Sequence, residues 1–157
     1  MIQKVRDFFT GGHFGDTQEL KNIINNVVDR AVSTEVVTLA ADTTITEEDC
    51  GKTFLCGTDG KVFSLPATKA GLKYTFMNIG ARTTVGFSIS PVAADGISGT
   101  FTLAAAVVVD AGVVNKDITN TKGTAEPGDS VEIIGTGVTG TKAWLIKSST
   151  GIWAAQG

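Results

Sequence analysis

The sequence predicts a mainly β domain, an antiparallel short-stranded sandwich or barrel-like fold, preceded by an N-terminal arm and one α-helix. Three observations predict it. A single stretch near the N-terminus carries apolar residues at helical spacing. From Glu35 onward, short β-rich runs alternate with clusters of Gly, Asp, Asn, Thr and Pro. The breaks between those runs, "GTDG", "PATKAG", "ADG", "EPGD" and "GTGVTG", have the residue types that tight turns require. The chain therefore divides into an arm and helix over residues 1–34 and a β domain over residues 35–157.

The arm carries Val5, Phe8, Phe9 and Phe14, and Gly11-Gly12 breaks any helix there. Three of the eight phenylalanines fall in these first fifteen residues, so the arm must bury them against its own domain or a neighbouring molecule. Residues 17–33, "TQELKNIINNVVDRAVS", read as the helix. Asp16 can cap it, with Glu19 at capping-box spacing. Leu20, Ile23, Ile24, Val27, Val28, Ala31 and Val32 form one apolar stripe. Within it Leu20, Ile24, Val27 and Ala31 also step by four and three, the seam of a coiled coil. Packing on its own sheet and packing in a bundle both fit that stripe.

Strands are expected at "EVVTL", "KTFLC", "KVFSL", "KYTFMNI", "VGFSIS", "TFTLAAAVVV", "VEIIG", "AWLIK" and "GIWAA". "AAAVVV" is apolar on both faces, which suits a central strand or one covered by another subunit. No fixed period repeats, which argues against a solenoid or propeller.

Composition narrows the function classes. Charged residues are 18% of the chain, against a usual ~25%. Either part of the surface is covered by other copies or a partner, or Thr, Ser and Gly supply the polar surface. The net charge is -3 and the 13 basic residues are scattered, so nucleic acid is not an expected partner. No apolar run is long enough to span a membrane, and the N-terminus lacks the pattern of a signal peptide. Synthesis in a cytoplasm, with reduced thiols, is the expectation.

The most reactive-looking stretch is "EEDCGKTFLCGTDGKVFSLP". Its "GKT", Gly51-Lys52-Thr53, matches the end of a phosphate-binding loop, but Thr46 stands where that loop needs its first glycine. An acidic turn, Glu47-Glu48-Asp49, precedes the tripeptide and a strand follows it, so no helix N-terminus is offered to a phosphate. A β-hairpin is expected instead: Gly51 turns the chain, Lys52 faces solvent and "GTDG" reverses it. Cys50 and Cys56 are separated by five residues in a chain with one histidine, His13, which does not make a zinc site. Cys56 is expected in the core and Cys50 at a turn, with a disulfide between them possible but disfavoured by a reducing compartment. Asp42, Asp49, Asp59, Asp95, Asp117 and Asp129 fall in turns, where aspartates cap amides and face water. No nucleophile elbow is present, and "GTGVTG" is expected to be a mobile hairpin tip. No enzyme, cofactor or metal site is expected.

The order of the pieces is itself informative. "DCGKTFLCGTDGKVFSLPATKAGLKYTFMNIG", then "ISPVAADGISGT", then "GDSVEIIGTGVTGTKAWLIKSSTGIWA" resembles small virion-surface domains of tailed bacteriophages: capsid decoration (cement) proteins, head-fibre proteins and related tail-fibre modules. The resemblance covers about residues 35–154 and leaves the arm and helix outside it. It implies a β-tulip-like fold, a homotrimer, and attachment to the outer surface of a capsid near three-fold points. The residues fit physically. Tyr74 and Phe76 alternate onto one face, Val131 and Ile133 point inward with Glu132 outward, Trp144 and Ile146 point inward, and Trp153 should dock the C-terminus.

On this resemblance the expected partners are a major capsid protein and two further copies of the chain, with no nucleic acid and no membrane. Phe8, Phe9 and Phe14 are the candidates for capsid contact. Leu20, Ile24, Val27, Ala31, Val107 and Val109 are the candidates for trimer contact. The alternative is a fibre or host-receptor module that grips a glycan. A small hydrolase or an orphan binding domain is a third class.

Overall fold

A computed structural model of the chain describes residues 35–103 and 106–156. The arm with Phe8, Phe9 and Phe14 and the expected helix with Leu20, Ile24, Val27 and Ala31 lie outside the described residues. The rest is mainly β. Seven strands form one sheet: β1 (Val36–Leu39), β3 (Thr53–Cys56), β5 (Lys73–Asn78), β10 (Ser130–Gly135), β11 (Gly140–Thr150), β7 (Asp95–Leu103) and β8 (Ala106–Asp110), in that spatial order. Five form a second: β12 (Trp153–Ala155), β9 (Ile118–Asn120), β6 (Phe87–Ser90), β4 (Lys61–Ser64) and β2 (Thr43–Thr44).

The sheets are mixed, not antiparallel as expected. β1, β3 and β5 run parallel, as do β2, β4 and β6, and β7 runs parallel to β11. The cause is the path of the chain. The first seven strands alternate between the two sheets, so same-sheet neighbours point the same way and the strand in the opposite sheet serves as the crossover. The first six strands thus wind as a short parallel coil. Its steps are irregular: Val36 pairs Thr53, which pairs Thr75, 17 and then 22 residues on. That irregularity is why no period shows in the sequence.

Two local expectations change with it. "GTDG" does not close a hairpin; it carries the chain from β3 in one sheet to β4 in the other. Phe54 and Cys56 on β3 and Phe63 on β4 all need burial, and a crossover lets the two strands face each other across the core. "TFTLAAAVVV" is not one strand. It forms parts of β7 and β8, which pair antiparallel with Leu103 opposite Ala106. An apolar run without Gly, Pro or Asn carries no mark of such a reversal.

Inward residues follow the period of two. Tyr74 and Phe76 on β5, Val131 and Ile133 on β10, and Phe87 and Ile89 on β6 are all buried. Trp144 is sealed in the core and Ile146 packs against it. Trp153 is also fully buried, docked by β12 on β9 and by donation from its Nε1 to the Thr150 carbonyl at 2.9 Å. Aromatic rings connect the layers. Phe54 stacks on Phe76 at 5.2 Å, Phe76 on Phe63 of the opposite sheet at 6.0 Å, and Phe63 meets Phe87 at 5.6 Å. Phe87 then meets the edge of Trp153 at 5.6 Å.

Phe63→Ala removes the ring in the middle of this series. It is expected to destabilise the domain by about 3–5 kcal/mol, measured by denaturant unfolding, whereas Val62→Ala on the same strand should cost under about 1 kcal/mol because Val62 is part-exposed.

Candidate functional site

The "GKT" stretch is built from a 3-10 turn, Glu47–Asp49, followed by Gly51 at φ +88. Positive φ here is what glycine supplies. Asp49 accepts from the Thr46 amide at 2.9 Å and from its hydroxyl at 2.8 Å. Lys52 is not a free solvent lysine. It pairs with Asp49 at 3.0 Å and Glu35 at 3.3 Å, and the Asp49 carboxylate, then Glu35, raise its pKa. Burial opposes ionisation of Asp49, but the Thr46 and Lys52 hydrogen bonds outweigh it and lower its pKa. An anion would meet carboxylates here, and Lys52 is already committed to them.

Both cysteines are free thiols. Cys56 is buried, and loss of hydration pushes its pKa up to about 12. Cys50 is exposed. Among the described residues, no three His, Cys, Asp or Glu side chains converge to hold a metal. Nor does any helix there have the length and apolarity to cross a membrane.

Asp49 and Asp129 bond local amides, of Thr46 and Glu126, but three other turn aspartates bond distant ones. Asp42 accepts from Val62 N at 2.9 Å, Asp59 from Gly86 N at 2.9 Å, and Asp95 from Thr68 N at 2.8 Å. Each one ties separate turns of the coil together. Asp95 and Asp129 are buried, contrary to the expectation that they face water. Asp129 belongs to a network that joins the sheets. Asn78 Nδ2 donates to Asn120 Oδ1 at 2.6 Å, and Asn120 Nδ2 donates to Asp129 Oδ2 at 2.9 Å. A Cβ on Gly151 would lie 1.9 Å from Asp129 Oδ1, so no side chain fits there. The "GTGVTG" tip does join β10 to β11, and Gly137 N donates to the Thr68 hydroxyl at 3.2 Å, which fixes its base.

Of the residues assigned to trimer contact, Val107 and Val109 are described. They lie on β8, the edge of the seven-stranded sheet, and are 68% and 78% exposed. Gly96 bridges Val114, and the exposed Val113 and Val114 extend the same side of β7. The strand is therefore not central, and no other described strand covers its outer side. The other described edges are blunted: β2 and β12 have two and three residues, and β1 is flanked by the Glu35–Lys52 ion pair.

A second feature, not foreshadowed by any motif, is a groove of about 310 Å3 on the five-stranded sheet. Asp59, Lys61, Ser88, Thr119 and Lys122 line it. The Ser88 and Thr119 hydroxyls share a hydrogen bond of 2.9 Å, and Lys122 Nζ bonds Asp59 Oδ2. That contact, then the Gly86 amide, lowers the Asp59 pKa. Outward Ser88 is legible in the alternation of "FSIS", but nothing in the sequence marks "ITN" as a strand or says that β6 and β9 lie side by side.

Among the described residues, these features define a two-sheet β domain with an open apolar edge and a shallow groove. The chain matches no protein-family model, and no curated protein is similar to it in sequence.

Two measurements check this geometry. A thiol reagent should modify Cys50 rapidly in the native protein and Cys56 only after unfolding; equal rates would contradict the buried position of Cys56. Because the Asp59 pKa is lowered on folding, its contribution is present above the ordinary aspartate value of ~3.9 and lost as pH falls through the folded value. Acidification from pH 6 to pH 3 should therefore lower the melting temperature of the parent chain more than that of Asp59→Asn.

Proposed function

We propose that the chain is a structural virion protein that binds the outer surface of a phage capsid as a homotrimer and stabilises the shell by clamping neighbouring capsomers. The observation that carries this reading is the open β8 edge. Val107 and Val109 stand exposed on an edge strand whose outer backbone groups have no strand partner among the described residues. Such an edge invites another chain. The order of motifs over residues 35–154 supports the virion class, and the low charge suits a surface covered in an assembly.

The mechanism is linkage. A ligand that binds only the assembled lattice stabilises it by mass action. Specific contacts of this kind bury on the order of 1,000 Å2 or more. The described edge supplies self-association, and the Phe8, Phe9 and Phe14 arm supplies capsid contact.

A second reading, a fibre or receptor module that grips a host glycan, is favoured by one observation: a groove on the five-stranded sheet, lined in part by the Ser88 and Thr119 hydroxyls.

Light scattering after size exclusion should give about three times the chain mass of 16.3 kDa. Val107→Asp with Val109→Asp should reduce it to one, with the β spectrum retained. Particles lacking the protein should lose their contents at lower temperature than complete ones, and added protein should restore them. A monomeric parent chain, or depleted particles as robust as complete ones, defeats the proposal.

A further inference from the structure

We draw no further inference here: the strongest candidate, the apolar surface patch along the seven-stranded sheet where Val36, Leu145, Val107 and Val109 stand exposed among the described residues, already serves the proposed self-association, and nothing in the structure shows what else covers it.

Discussion

The contact between Phe63 and Phe76, 6.0 Å apart across the two sheets, is the interaction on which the rest of the β domain depends. Phe76 is on β5 of the seven-stranded sheet and Phe63 on β4 of the five-stranded sheet, both fully buried. Phe54 backs Phe76 on one side, and Phe87 and Trp153 extend from Phe63 on the other. Tyr74 and Trp144 extend the cluster along the larger sheet, with ring centres 5.6 Å apart. Large rings in mutual contact bury much apolar area with few rotatable bonds. They also dictate topology. Phe54 and Phe63 are only nine positions apart, and they can pack from opposite layers only if the chain between them crosses the sandwich. The crossover at "GTDG", and with it the parallel pairing of β3 and β4 to their neighbours, follows from where these rings must go.

Hydrophobic contact does not set register, and polar groups do that here. Asp42, Asp59 and Asp95 each reach an amide 20 to 27 residues away, so each pins one coil turn against another. Asn78, Asn120 and Asp129 perform the same task inside the core, where an unpaired amide or carboxylate would cost about 1–3 kcal/mol. A register slip would leave Asn78, Asn120 and Asp129 buried and unpaired. Gly151 and Gly86 belong to the same constraint, because a Cβ at either would displace a member of it.

The strands themselves were legible wherever alternation ran for four or more residues. β1, β3, β4, β5 and β6 all fall within expected runs, "GIWAA" contains β12, and β10 and β11 contain their expected runs but extend beyond them, β11 by three residues at each end. β2 and β9, with two and three residues, are too short to show a period. Pairing was not legible, because alternation says which face a side chain takes and not which strand lies beside it. That one gap accounts for the antiparallel expectation, the lost hairpin after Cys56 and the unseen groove between Ser88 and Thr119. The aspartates show the same limit in miniature. Their residue type announced an amide acceptor correctly, but for Asp42, Asp59 and Asp95 the amide lay 20 to 27 residues away. Val107 and Val109 were readable as an apolar pair needing cover, and among the described residues they stay exposed on an edge strand.

How the β8 edge is covered constrains the assembly. Two copies of one strand that pair antiparallel with each other are related by a two-fold axis, so direct β8-to-β8 pairing makes a dimer. A three-fold arrangement forbids that contact. In a trimer, Val107 and Val109 either gather at the axis through side chains alone or lie against a different surface of the neighbour. The first leaves the β8 backbone to water, which an exposed edge tolerates. The second consumes it, and a strand edge is then the complementary surface, since only an extended chain offers donors and acceptors at matching spacing. Among the described residues, β1 is the only other edge of the same sheet, with Val36 exposed and one ion pair at its start. Substituting Val36 by a charged residue would disturb a sheet continued from β8 to β1 and leave an axial valine cluster intact. The two ways of closing a trimer are therefore separable at a residue far from β8 itself.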